Sequence, residues 1–130
     1  MGVTLSFVSV ICDHVDDLAA FYRSVFDLEP VDALASEHFR ALRIGGTVLG
    51  FSARSAYEML NLVDPGVEQP PTTFWTFEVD TDQQVDDLTG AAVSAGGRLV
   101  KPPYGTYYGA WQSVLLDPAG HAFRINHSSA

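Results

Sequence analysis

Cysteine is almost absent from this sequence: Cys12 is the only one. An intramolecular disulfide is therefore impossible, and so is a zinc site built on paired cysteines. Basic residues are also scarce. There are 7 Lys and Arg against 16 Asp and Glu, for a formal net charge of −9. Nucleic-acid binding needs clustered positive charge, and no cluster is present. No apolar run approaches the ~20 residues that cross a bilayer. The apolar stretch Val3–Cys12 has no basic residues before it and ends at Asp13, so it reads as a first strand rather than a secretory leader. The expectation is a cytoplasmic protein that binds neither nucleic acid nor membrane. A neutral or cationic partner suits its acidity better.

Chelating patterns are missing as well. His14, His38, His121 and His127 share no i, i+2 or i, i+4 spacing, so no local metal site is visible. No Ser/His/Asp arrangement and no phosphate-cradling glycine loop appears; Gly45-Gly46 and Gly96-Gly97 read as turns. No catalytic residue is assigned. Many acids, among them Asp13, Asp16, Asp17, Asp82, Asp86 and Asp87, gather where helices are expected to begin. There they cap amides and complement the helix dipole.

What the chain does contain is an internal repeat. Val15-Asp16-Asp17-Leu18 recurs unchanged as Val85-Asp86-Asp87-Leu88. Each copy follows a β-rich apolar segment, Leu5–Cys12 or Thr73–Val79, and opens a helical pattern. Leu18, Phe21, Tyr22, Val25 and Phe26 carry the first helix; Leu88, Ala91, Ala92 and Ala95 carry the second. Each half has room for two more strands before its last one. These fall in Ala33–Ile44 and, in the second half, in Arg98–Lys101 and Tyr107–Leu116. The final strands follow the turns at Gly45-Gly46 and Asp117-Pro118-Ala119-Gly120. Ser55–Leu62 reads as a short extra helix. The fold class is α+β, with two tandem βαβββ modules at about 1–62 and 73–130, joined by a linker at about 63–72. A sheet with one helix on its outer face buries only one side. Two such halves are expected to curve into one 1–130 domain around a central cleft, which the chain's 130 residues and 47% hydrophobic content can support.

Two segments carry a family resemblance. Val15-Asp16-Asp17-Leu18-Ala19-Ala20-Phe21-Tyr22 resembles the first-module helix of the vicinal oxygen chelate superfamily, which includes glyoxalase I, bleomycin-resistance proteins and extradiol dioxygenases. Asp117-Pro118-Ala119-Gly120-His121 resembles the turn before that family's last strand. Gly96-Gly97 followed by Pro102-Pro103 also fits. The resemblance implies a cleft, often completed in a homodimer. It also implies, for the family's metalloenzymes, ligands from the first and last strands of each module. The matching positions here are Phe7, Phe74 or Thr76, Gly50 and Arg124. Phe and Gly offer no side-chain donor, Thr is a weak ligand, and Arg repels a cation. No metal and no cofactor are expected.

Alternation along the strands sorts the faces. Phe7 and Ser9 fall on the cleft side of the first strand. Phe74, Thr76 and Glu78 do so in the second module, as do Arg124 and Asn126 on the last strand. Arg124 is either an anchor for a carboxylate, phosphate or enolate, or the partner of an acid such as Glu78. Tyr107, Tyr108 and Trp111 are either a stacking platform or ordinary sheet packing. The leading expectation is a metal-free binding protein of the bleomycin-resistance type. It would sequester an aromatic or cationic small organic ligand. The alternative is a glyoxalase-like lyase, isomerase or dioxygenase. A third reading is a regulatory or structural module. Metal dependence and turnover separate the first two, and a cleft filled by side chains would favour the third.

Overall fold

A computed structural model describes residues 2–67 and 69–128. Met1, Glu68, Ser129 and Ala130 lie outside the described residues, and with them the outer limits of both expected modules and one linker position. The chain divides into two compact units, within residues 1–68 and 69–130. Each is a four-stranded sheet with a helix on one face, in the order β-α-β-β-β.

The first unit comprises β1 (Phe7–Ile11), α1 (Val15–Phe26), β2 (Glu29–Pro30), β3 (Phe39–Ile44), β4 (Thr47–Ser52) and the short α2 (Ser55–Met59). Its sheet order is β1-β4-β3-β2, with β1 and β4 parallel. Helix α1 buries Leu18, Phe21, Tyr22 and Val25, residues three and four apart and so on one stripe. Tyr22 stacks on Phe51 of β4, with ring centroids 5.6 Å apart. Leu42 and Leu49 complete this core.

The second unit comprises β5 (Phe74–Glu78), α3 (Asp82–Ser94), β6 (Arg98–Gly105), β7 (Ala110–Leu116) and β8 (Ala122–Ser128). Its sheet order is β5-β8-β7-β6, again with the first and last strands parallel. Phe77, Leu115, Phe123 and Ile125 are buried on the helix side. Thr89 ties α3 to β7 through a 2.7 Å hydrogen bond with Ser113, both side chains being buried.

Several expected boundaries move. Ala33–Ile44 holds one named strand, not two: β2 lies earlier and pairs only Glu29 with Arg43 and Pro30 with Leu42. Pro30 lacks an amide hydrogen, which suits a short edge strand. A single 3-10 turn at Asp32–Leu34 follows. Strand β6 runs on to Gly105 through Pro102-Pro103, with its register broken on both sides of Lys101. An edge strand tolerates that irregularity. Strand β7 starts only at Ala110, because Tyr107 and Tyr108 form the hairpin turn and Gly109 takes a φ of 85° that favours glycine. Helix α3 starts at Asp82, a turn ahead of the repeated Val85.

The helix caps also differ from expectation. Thr81, not an aspartate, caps α3 by accepting from the Gln84 amide at 3.1 Å. His14 precedes α1 without a side-chain cap. Asp16, Asp17 and Asp82 sit inside the first turns, where they complement the helix dipole.

After α2 the chain is held by Asp64, which accepts from the Gly66 amide at 2.8 Å and pairs with Arg54. The Gly66 amide first, then Arg54, hold the Asp64 carboxyl below the usual carboxylate range. A carboxyl depressed in the folded state contributes stability above its unfolded pKa and loses it as pH falls through the folded one. We expect the Asp64 carboxyl to titrate below its peptide value by carbon-detected NMR. The Gly66 amide signal should move with it. A normal Asp64 titration would refute this tether.

Candidate functional site

The register of the second sheet assembles the site. On β5, Phe74, Thr76 and Glu78 lie opposite Ala122, Arg124 and Asn126 of β8. On β7, Leu116, Val114 and Gln112 lie opposite the same three β8 residues. Directly paired residues share a face, so all nine stand on the side away from α3. Phe74, Thr76, Glu78, Arg124 and Asn126 thus share one face of the sheet, as alternation expects. Phe123 and Ile125 pack behind them, fully buried.

Arg124 is the centre of this face. Its Nε donates to Thr76 Oγ1 at 3.0 Å. Its Nη1 donates to Gln112 Oε1 at 3.2 Å and to the Tyr108 hydroxyl at 3.3 Å. Its Cζ lies 4.8 Å from the centroid of the Phe74 ring, a cation–π contact. The Tyr108 hydroxyl also donates to Gln112 Oε1 at 3.1 Å, while Gln112 Nε2 donates to the Tyr104 hydroxyl at 2.7 Å. Lys101 Nζ stands 3.7 Å from the Tyr104 ring centroid. The guanidinium is thus held by neutral oxygens and an aromatic face.

Glu78 is not the partner of Arg124. Its Oε1 accepts from Asn126 Nδ2 at 2.8 Å and its Oε2 from the Ser128 amide at 2.7 Å. Asn126 is buried, and its Oδ1 has no hydrogen-bond partner among the described residues.

The aromatic run separates into three roles. Tyr108 joins the Arg124 group. Tyr107 sits on the turn, fully exposed, with its ring edge-on to Tyr108 at 5.1 Å. Trp111 is on the helix side of the sheet, where its Nε1 donates to Asp86 of α3 at 2.9 Å. It is not brought together with Arg124. Gln112 and Tyr104 were absent from the sequence-derived set. A signal for Gln112 was available: it is the one amide side chain in β7, one position from Trp111 and therefore on the opposite face.

The first unit carries the counterpart of this face. Phe7 and Ser9 of β1 stand opposite Val48 and Gly50 of β4. Phe7 is partly exposed and lies 6.4 Å from the Phe39 ring. A Cβ on Gly50 would come within 2.6 Å of Ser9 Oγ and 2.8 Å of the Phe39 ring. The place that holds Arg124 in the second sheet is therefore covered here by Phe39, and a side chain at Gly50 would displace it.

The side chains at the four positions that the resemblance matches to metal ligands do not fit a divalent ion. Phe7 and Gly50 supply no donor atom. Thr76 Oγ1 is engaged by Arg124, whose permanent charge opposes a cation. No group of three or more His, Cys, Asp or Glu able to hold an ion occurs among the described residues. Among the described residues no helix is long and apolar enough to cross a membrane.

The family model described as glyoxalase/bleomycin resistance protein/dioxygenase superfamily matches residues 4–125. The chain is similar to the crystal structure of a glyoxalase/bleomycin resistance protein/dioxygenase family enzyme from Burkholderia phytofirmans PsJN. Identity is 38% and the TM-score 0.92, covering 96% of this chain and 98% of that one. A lactoylglutathione lyase from Agrobacterium tumefaciens shares the fold at 19% identity and a TM-score of 0.74, covering 97% of this chain and 94% of that one. So does a fosfomycin resistance protein from Listeria monocytogenes, at 17% identity and a TM-score of 0.75, covering 99% and 96%. No curated protein matches. Duplicated βαβββ units, a match over nearly the whole chain and a close structural relative agree: the chain belongs to the glyoxalase/bleomycin resistance protein/dioxygenase superfamily.

Proposed function

We propose that this chain is a metal-free binder of a small organic molecule, which it sequesters against the open face of its second sheet. One observation carries the reading: Arg124, at a position that the resemblance matches to a metalloenzyme ligand, holds Thr76 Oγ1 through its Nε. Lewis-acid polarisation needs donor atoms that these positions lack. A half-buried guanidinium flanked by Phe74 and Tyr108 suits an organic ligand with a flat body and a polar group. The same proposal has the protein act in the cytoplasm as a homodimer without nucleic acid. The pairing follows the family's habit, and a net charge of −9 opposes a phosphate backbone.

Glu78 favours binding over turnover. A catalytic reading would ask it to move a proton while Arg124 steadies an oxyanion. Its two oxygens instead hold Asn126 and the Ser128 amide, a structural use that competes with proton transfer. The test is native mass spectrometry of untagged protein, as purified and after adding Ni²⁺, Zn²⁺, Mn²⁺ and Fe²⁺ in turn. Apo protein throughout is the expected result. A stoichiometric, tightly held ion would overturn the reading and bring glyoxalase or dioxygenase chemistry forward.

A further inference from the structure

We infer that the ligand carries an oxyanion, a carboxylate or phosphonate, on a flat apolar body. In this arrangement Arg124 receives the anion and Phe74 and Tyr108 flank the body. The inference rests on the preceding reading that this face binds a small molecule, and it names the class of molecule.

Three arginines of the chain are half-buried: Arg40, Arg54 and Arg124. Arg40 reaches Asp16 at 2.7 Å, and Arg54 pairs with Asp64. Arg124 has no acidic partner among the described residues, although the chain holds more than twice as many acids as bases. Taking a guanidinium partly out of water without a counter-ion is unfavourable, and an incoming anion removes that penalty.

The hydrogen bonds around Arg124 point the same way. Thr76, Gln112 and Tyr108 use its Nε and Nη1 and leave its charge intact, because all three acceptors are neutral. Its Nη2, with two hydrogens, has no hydrogen-bond partner among the described residues. A fixed guanidinium with a free donor edge is preorganised for an oxyanion. Phe74, beneath the guanidinium, is 58% exposed and offers a ring face to a flat body. Lys101 adds a second positive charge on this side of the sheet: it is paired with Val114, and its ammonium lies over Tyr104. Glu78, the acid on the face, is already occupied by Asn126 and Ser128. The acidity of the whole chain favours a cationic partner, but the local field at Arg124 has the opposite sign and acts at much shorter range.

The experiment compares four ligands of nearly one shape by NMR titration of the labelled full chain: benzoate, phenylphosphonate, benzamide and benzamidine. Benzoate or phenylphosphonate should give saturable shifts at Phe74, Tyr108 and Arg124. Benzamide should bind about 10- to 100-fold more weakly, the loss expected for a charge-assisted hydrogen bond. Benzamidine should not bind there. Arg124→Gln should lose most of the oxyanion affinity, and added salt should weaken it in the wild type. Phe74→Ala should weaken benzoate and benzamide alike. Benzamide or benzamidine binding this face as tightly as benzoate would overturn the anion assignment and leave the small-molecule reading standing. Oxyanion binding unchanged in Arg124→Gln would overturn the role of Arg124. Failure of all four ligands to perturb the face would count against both readings. The wild-type comparison needs no variant to fold.

Discussion

Replacing Phe51 by alanine is expected to remove about 3–5 kcal/mol of stability. Phe51 has no exposed surface, lies on a central strand and stacks on Tyr22, which is itself fully buried. The substitution deletes a ring from a place that neighbouring strands cannot collapse into. Against a typical total of about 5–15 kcal/mol, this leaves the first unit marginal. Guanidinium denaturation should show a lower midpoint with an unchanged slope. Phe7→Ala is the control. Phe7 is on the opposite face and partly exposed, so its loss should cost about 1 kcal/mol or less. Equal effects from the two substitutions would mean that Phe51 is not the keystone of this core.

Asp117→Ala should have the second-largest effect, about 3 kcal/mol. Asp117 is buried, and its Oδ1 accepts from the amides of Ala119 at 2.9 Å and His121 at 3.0 Å. The His121 ring nitrogen Nδ1 lies 3.1 Å from its Oδ2. Alanine strands both amides inside the turn, whereas Asp117→Asn keeps one acceptor oxygen and should lose less. The turn delivers β8 into the sheet, so the damage should reach the proposed binding face around Arg124. Hydrogen exchange at Ala119 and His121 should accelerate in the alanine variant, and benzoate affinity should fall with it. Wild-type exchange at both amides would show that Asp117 does not hold the turn.

Much of this could be read from residues alone, and the parts that could are those governed by strict periodicity. Alternation in β5 and β8 placed Thr76, Arg124 and Asn126 on one face and Phe77, Phe123 and Ile125 on the other, as the register bears out. Alternation has no purchase where a strand is short or irregular. Strand β2 is two residues long, and β6 runs through two prolines, so neither offers a period to count. Trp111 shows a different limit. The sequence identifies an aromatic-rich stretch but not where its turn ends. Once Gly109 closes the hairpin, parity assigns Trp111 to the helix side and Gln112 to Arg124. The helix starts failed for a related reason. The repeated Val-Asp-Asp-Leu opens α1 but falls one turn inside α3, because Thr81 supplies an earlier cap.

The parallel pairing of the first and last strands in each unit has a consequence for how the chain is made. Phe7 meets Val48 and Phe74 meets Ala122, so each pairing spans most of its unit. Such contacts have high contact order: the loop entropy must be met before any contact forms, which slows folding. During synthesis β1 emerges well before β4 and waits with its backbone amides and carbonyls unpaired. An unpaired apolar strand is a template for wrong partners. The duplication supplies one, since β5 has the same pattern as β1 and emerges soon after β4. Misassembly between tandem units is a characteristic failure of repeated architectures. The same arrangement that sets Arg124 beside Thr76 therefore makes the nascent chain depend on β4 finding β1 before β5 competes.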